Sequence, residues 1–262
     1  MTEKVLIRGG LIAVKIFEPD VHRGDAILIH GYTGSKEDFS LIGPLLAEQG
    51  YRVVTSDNRG QFESEHSEDP SKYSISSLAA DHLELARHFG LVKPHLFGHS
   101  FGGLVAQRAA VDFPSEWASL TIFCSGPHGM PEWTALANDI EYLNAHSMAE
   151  LWVSNGESDK PGNQEGSLKQ RRWFASDKRS IQVHAQHLMS EPSIVAEVKA
   201  TGLPIQVIRG QNDDAWPHDL QAQMASDLGV EIQIIADAGH CPNEDQPEAA
   251  AAKISSFWNQ LS

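Results

Sequence analysis

The chain has 262 residues, 41% hydrophobic and 21% charged, enough to bury one large core and too apolar for a disordered chain. Twenty Lys and Arg stand against 35 Asp and Glu, giving a formal net charge of −15. A surface that acidic repels phosphate backbones and anionic lipid, so neither nucleic acid nor a membrane is expected as a partner.

In chain order, residues 1–10 lack the apolar stretch of a secretory leader, and no run of about 18 apolar residues follows. A cytoplasmic protein is expected. Residues 5–7 and 11–17 read as a hairpin around Gly9-Gly10, and 26–29 as a buried strand ending at His30-Gly31. Residues 41–48 read as a helix that Gly50 can close, before a strand at 51–56. Residues 76–89 carry apolar side chains at helical spacing, with Gly90 placed as a cap. A strand at 95–97, a helix at 101–112 and a strand at 120–124 follow. Beyond them, strands at 204–209 and 232–236 flank a helix at 220–228, and an amphipathic helix closes the chain at 248–260. This alternation predicts an α/β fold with a largely parallel sheet.

Between Gly126 and Leu203 the strand rhythm stops for longer than any βα connection needs. The stretch is polar and helical in pattern, with a Gly-, Ser- and Asp-rich loop over 156–166. Long inserts of this kind are often functional, so a lid over a site is expected there. Two cysteines, Cys124 and Cys241, cannot build a disulfide framework or a four-cysteine zinc site.

The strongest chemical signal is Gly98-His99-Ser100-Phe101-Gly102 between a strand and a helix. That context is the nucleophile elbow, in which a sharp turn strains the central residue and exposes its hydroxyl. The first N–H groups of the following helix then face the developing oxyanion. A serine needs a base, and the base needs a carboxylate to hold it. Of 13 histidines, His240 stands out because it follows a strand end and Gly239. His22, His66, His82, His88, His146 and His218 read as solvated or helix-surface residues, and His30 and His99 as supports of the backbone. Asp213 and Asp214, after the strand at 204–209, are adjacent candidates for the acid, and only one of them can face the imidazole.

These motifs together resemble the α/β-hydrolase fold superfamily over nearly the whole chain. The further features that carry the resemblance are His30-Gly31-Tyr32, Asp57-Asn58-Arg59-Gly60, the Gly210-to-Asp213 loop and Gly239-His240. The resemblance implies a Ser100–Asp213–His240 triad, with Asp213 chosen over Asp214. It also implies an oxyanion hole from the N–H groups of Tyr32 and Phe101. Residues 1–129 and 194–262 would form the hydrolase core, and 130–193 a helical cap inserted after the sixth strand. Two departures stand out. Relatives usually place a glycine where this chain has Phe62, so the loop backbone must differ locally or Phe62 must reach the cap. The alternative acid position after strand six reads Cys124-Ser125-Gly126 and offers no carboxylate.

The expected function is a serine hydrolase that needs no cofactor and no metal, cleaving a carboxylic ester, lactone or thioester of a small, largely apolar molecule. The same fold also supports carbon–carbon (diketone) hydrolysis, cofactor-free oxygenase or haloperoxidase chemistry, and slow-turnover receptors. Met130, Trp133, Trp152, Trp173 and Trp216 are expected to line the pocket, with Arg171 and Arg172 as possible anchors for an anionic substrate. The sequence 31–36 superficially suggests a phosphate loop but lacks its spacing. His184 and His187, three apart, read as an ordinary helix surface rather than a metal pair, and Cys241 as a packing residue.

Overall fold

The computed structural model describes residues 2–261. The strands are β1 (Glu3–Ile7), β2 (Gly10–Phe17), β3 (Gly24–Ile29), β4 (Tyr51–Ser56), β5 (His95–His99), β6 (Ser119–Phe123), β7 (Ile205–Gly210) and β8 (Ile232–Ile235). They form one eight-stranded sheet in the order β1-β2-β4-β3-β5-β6-β7-β8. Only the β1–β2 and β2–β4 pairs are antiparallel; every other pair is parallel. The β1–β2 hairpin is the one expected from Gly9-Gly10.

The helices are α1 (Ile42–Glu48), α2 (Ile75–His88), α3 (Phe101–Asp112), α4 (Thr134–Ala145), α5 (Met148–Ser154), α6 (Leu168–Ala175), α7 (Lys178–Ser190), α8 (Val195–Ala200), α9 (His218–Leu228), α10 (Pro242–Asp245) and α11 (Pro247–Trp258). Successive strand residues point to opposite faces, which splits the core in two. Ile27, Ile29, Leu96 and Val207 join the helical layer of α2, α3, α8 and α9. Ala26, Leu28, Phe97 and Ile208 join the layer of α1 and α11. Central strands buried on both faces read as unbroken apolar runs, which is why 26–29 and 95–97 were recognisable.

Helices α4 to α7 fill the interval between β6 and α8. Their segment leaves and returns through one neck, where the Gly129 N–H bonds the Glu191 carbonyl at 2.8 Å and the Met130 N–H bonds that of Leu188 at 2.7 Å. Met130 is thereby buried in the core and walls no part of the Ser100 cleft. Helix α8 packs on α3 and α9 and so belongs to the sheet layers. The segment is tied down beside the 57–64 loop: the Asp177 N–H bonds the Gly60 carbonyl at 2.8 Å, and Tyr73 Oη donates to Asp177 Oδ2 at 2.7 Å.

Phe62 carries an unusual backbone conformation for a residue with a side chain. Its φ is +45°, in the left-handed region that a glycine favours, here adopted by a bulky residue. Its N–H bonds Ser176 Oγ at 3.1 Å, so the main chain at this position does reach the inserted segment. The ring covers Lys36 Nζ at 4.8 Å, and Lys36 is itself buried against Asp57 at 2.9 Å. No described helix is long and apolar enough to cross a membrane.

Candidate active site

An open parallel sheet exposes its functional groups at the carboxyl ends of its strands, near the point where strand order reverses. Here β3 lies between β4 and β5, and the turns after β3, β5, β7 and β8 carry Tyr32, Ser100, Asp213 and His240. Ser100 sits between β5 and α3 at φ 55°, ψ −122°. Two glycines make this turn possible. A Cβ on Gly98 would lie 2.2 Å from the Gly102 carbonyl oxygen, and one on Gly102 would lie 2.3 Å from that of Ile29.

The structure brings the three candidates into hydrogen-bonding contact. His240 Nδ1 lies 2.8 Å from Asp213 Oδ1, and His240 Nε2 lies 2.9 Å from Ser100 Oγ. An ionised carboxylate can only accept, so Nδ1 carries the proton, and Nε2 is left to accept from the serine hydroxyl. Asp213 is 2% exposed. Burial pushes its carboxyl up, but the His240 hydrogen bond and charge, Gln221 and the Ala215 N–H together bring it below the usual carboxylate range. Asp214 is exposed and faces the cleft. Phe101 follows Ser100 as the first residue of α3, and Tyr32 walls the same cleft as Ser100 and His240.

Other buried groups hold the site together, and one of them, Gln221, had no signal in the sequence. Gln221, on α9 and 1% exposed, donates from Nε2 to Asp213 Oδ2 at 3.1 Å. Nothing in its local pattern sets it apart from an ordinary helix glutamine. His99 donates from Nε2 to the His240 carbonyl at 2.8 Å, and burial lowers its pKa to about 4, so the ring stays neutral. His30 donates from Nδ1 to the Gly31 carbonyl at 2.8 Å and accepts the Asn58 N–H at 2.9 Å. It thus fastens the Tyr32 turn to the loop after β4. His82 is not solvated as expected: it is 2% exposed, and its Nε2 meets Asn58 Oδ1 at 3.1 Å. His184 is not a helix-surface residue either, because it is fully buried and stacks on Phe101 with ring centroids 4.5 Å apart. His187 pairs with Glu191 at 2.5 Å. Among the described residues no three His, Cys, Asp or Glu side chains group as a metal site. Burial pushes the Cys241 thiol up to about 12, which suits packing rather than reactivity.

The expected pocket residues divide. Trp133 and Trp216, with rings 5.0 Å apart, wall an open cleft of about 560 Å³ that contains Ser100 and His240. Trp152 and Trp173 wall a separate hollow of about 190 Å³ under α5 and α6. The charged side chains of the cleft are Glu132 and Asp214, both carboxylates. Arg171 is exposed, and Arg172 is committed to Asp38. Other hollows lie between α1 and α11, lined by Leu45, Ala251 and Ser255, far from these strand ends.

Residues 26–253 match the model of a family described as the alpha/beta hydrolase family. The chain is similar to 3-oxoadipate enol-lactonase 1 of Acinetobacter baylyi, 25% identical over 263 residues that span 97% of this chain and 95% of that protein. It is also similar to a fluoroacetate dehalogenase of Burkholderia sp, 35% identical over 99 residues, but that match spans 37% of this chain and only 32% of the dehalogenase. Among solved structures, an enol-lactonase from Burkholderia xenovorans LB400 superposes with a TM-score of 0.83 at 18% identity, covering 98% of this chain and 100% of that one. The N-acyl homoserine lactonase AidH superposes with a TM-score of 0.80 at 20% identity, covering 100% and 98%. At those identities the superpositions speak to fold alone.

Proposed function

The chain belongs to the alpha/beta hydrolase family, and from that membership we propose that it is a serine hydrolase acting on carboxylic esters, lactones included, of small, largely apolar molecules. The observation that carries the reading is the unbroken contact from Ser100 Oγ through His240 to Asp213, at 2.9 and 2.8 Å.

In this reading Ser100 Oγ attacks the substrate carbonyl while His240 Nε2 takes its proton. Asp213 holds the imidazole tautomer and stabilises the imidazolium that forms. The N–H groups of Tyr32 and Phe101 receive the oxyanion; one such donor is worth about 10²–10³ in rate in a well-studied protease. His240 then returns the proton to the leaving alcohol and activates water to release the acyl group. No metal or redox cofactor enters, because the triad supplies nucleophile, base and acid. The inserted segment 130–193 serves as the lid, contributing Trp133 and Leu136 to the cleft. Lactones are included because a relative matched along nearly the whole chain is named an enol-lactonase. The carboxylates of Glu132 and Asp214 at the cleft favour neutral over anionic substrates.

The test is a screen of neutral aryl and medium-chain esters, lactones, their carboxylate-bearing counterparts and a diketone, on the parent chain and on Ser100→Ala. Ester or lactone turnover should exceed diketone cleavage, favour neutral compounds, and vanish in a Ser100→Ala protein of unchanged circular dichroism. Removal of a serine-hydrolase nucleophile costs on the order of a million-fold. Turnover surviving in a folded Ser100→Ala chain refutes the reading.

A further inference from the structure

Ser100 and His240 mark the open cleft of about 560 Å³ as the place a substrate enters. Three aromatic residues wall it, Tyr32, Trp133 and Trp216, together with two carboxylates, Glu132 and Asp214. Among the described residues no Lys or Arg lines it. The two carboxylates come from different segments: Glu132 lies just before α4 in the inserted segment, and Asp214 in the loop after β7. Trp133 and Trp216, near neighbours of those carboxylates in the chain, bring the two segments together with ring centroids 5.0 Å apart at 64°.

Exposed carboxylates are common on a chain of net charge −15, so their setting is what distinguishes these two. Most cations of the inserted segment are engaged elsewhere: Lys160 and Lys169 pair with Glu157, Arg172 with Asp38, and Arg179 with Asp177 and Glu68. A further acid on α4, Asp139, accepts the neutral Asn155 amide at 3.1 Å. Burial raises the Tyr32 phenol, and the charge of Asp139 raises it further, so Tyr32 stands as an uncharged ring near a carboxylate. The face of an aromatic ring carries the negative lobe of its quadrupole, and Trp is the strongest such partner for a cation. Aromatic walls with carboxylates beside them therefore attract a positive group by two routes and repel a negative one. A neutral guest uses the rings alone.

We propose that the Ser100 cleft selects esters whose acyl or alcohol part carries an alkylammonium group, held against the Trp133 and Trp216 wall by the Glu132 and Asp214 carboxylates. The inference deepens the serine-hydrolase reading above and rests on it. Glu132, Trp133 and Asp214 are then specificity-determining residues.

The experiment measures kcat/KM for two ester pairs. One is p-nitrophenyl γ-trimethylammonio-butanoate against its isostere with carbon in place of the quaternary nitrogen. The other places the same exchange on the alcohol, in trimethylammonioethyl butanoate. A permanent charge makes the substrate's state independent of pH, and each value is divided by the rate of spontaneous hydrolysis. In at least one pair the cationic ester should be preferred by about tenfold, from one cation–π contact and one exposed charge contact. An ionic strength of about 0.5 M should cut that preference about threefold. The double variant Glu132→Gln/Asp214→Asn should cut it by a similar factor, and so should Trp133→Leu, which keeps apolar bulk without the quadrupole. A ratio at or below one in both pairs, or a preference that salt, the double variant or Trp133→Leu leaves unchanged, overturns the proposal. Turnover of these esters by Ser100→Ala would refute the parent reading instead, so the two failures are distinct.

Discussion

Gln221 and Asp213 meet across 3.1 Å, the amide of one occupying the carboxylate oxygen that the other does not offer to His240. The two lie eight residues apart, one on a loop and one within α9, and both are almost fully buried. The same amide also faces the Ser125 carbonyl at 3.4 Å, so α9 is coupled to the loop after β6. Gln221→Leu strips a donor from a buried carboxylate, a bond class worth about 1.5–3 kcal/mol. Turnover should fall about ten- to a hundredfold if that support is needed in the transition state. In an Asp213→Asn background the same change should cost little more. Equal losses in both backgrounds would show Gln221 acting on packing alone.

Asp213→Asn should impair turnover far more than Asp214→Asn. The first disturbs the His240 tautomer, a change costing about 10⁴ in a serine protease. The second removes an exposed carboxylate from the cleft wall. Its effect should be confined to substrate charge, improving anionic esters a few-fold. Steady-state rates of both variants decide the matter. A larger loss from Asp214→Asn would contradict the hydrogen-bond geometry.

Phe62 presents two opposed terms. Its positive φ is costly for a bulky side chain, about 1–2 kcal/mol, while its ring over Lys36 returns about 0.5–2 kcal/mol. Phe62→Gly relieves the strain and loses the ring, so stability should change little. Phe62→Ala loses the ring and keeps the strain, so it should be less stable than the glycine variant by about 1 kcal/mol. Urea unfolding midpoints of the three chains give the order. Alanine at or above glycine would mean that the positive φ is not a cost here.

Burial lowers the pKa of His82 and His184 to about 3 and of His95 and His99 to about 4, against 6.5 for an ordinary histidine. Below pH 6.5 the unfolded chain therefore takes up protons that the folded chain refuses. Stability should be flat above that pH and fall as pH drops towards 5, by about 1–2 kcal/mol for each such histidine. Denaturation midpoints at pH 7.5, 6.5, 5.8 and 5 test this. His95→Phe, which keeps a ring against Trp258, should flatten part of the slope. A midpoint unchanged between pH 6.5 and 5 would contradict it.

Much of the architecture was legible because its signals are local. The strands at 26–29 and 95–97 announce themselves as largely apolar runs, since parallel strands buried on both faces have no polar side to show. The elbow is legible for a related reason. A turn that admits no Cβ at Gly98 or Gly102 writes its glycines into the chain next to the serine it presents. His240 is recognisable because it follows a strand end; the end of the strand at 204–209 narrows the acid to Asp213 or Asp214, and only the family resemblance chooses Asp213. What the tertiary structure alone decided is everything that depends on two distant segments meeting. The sequence offers no reason for Gln221 rather than another α9 residue to reach Asp213, nor for His82 and His184 to be buried rather than solvated. Helix periodicity marks an apolar face, but Gln221 is enclosed by the loops after β6 and β7, His82 by the loop after β4, and His184 by the core at Phe101. The division of four tryptophans between two hollows has the same origin. Side-chain type sets what a wall can bind, while the packing of the 130–193 segment against the sheet sets which wall each side chain joins.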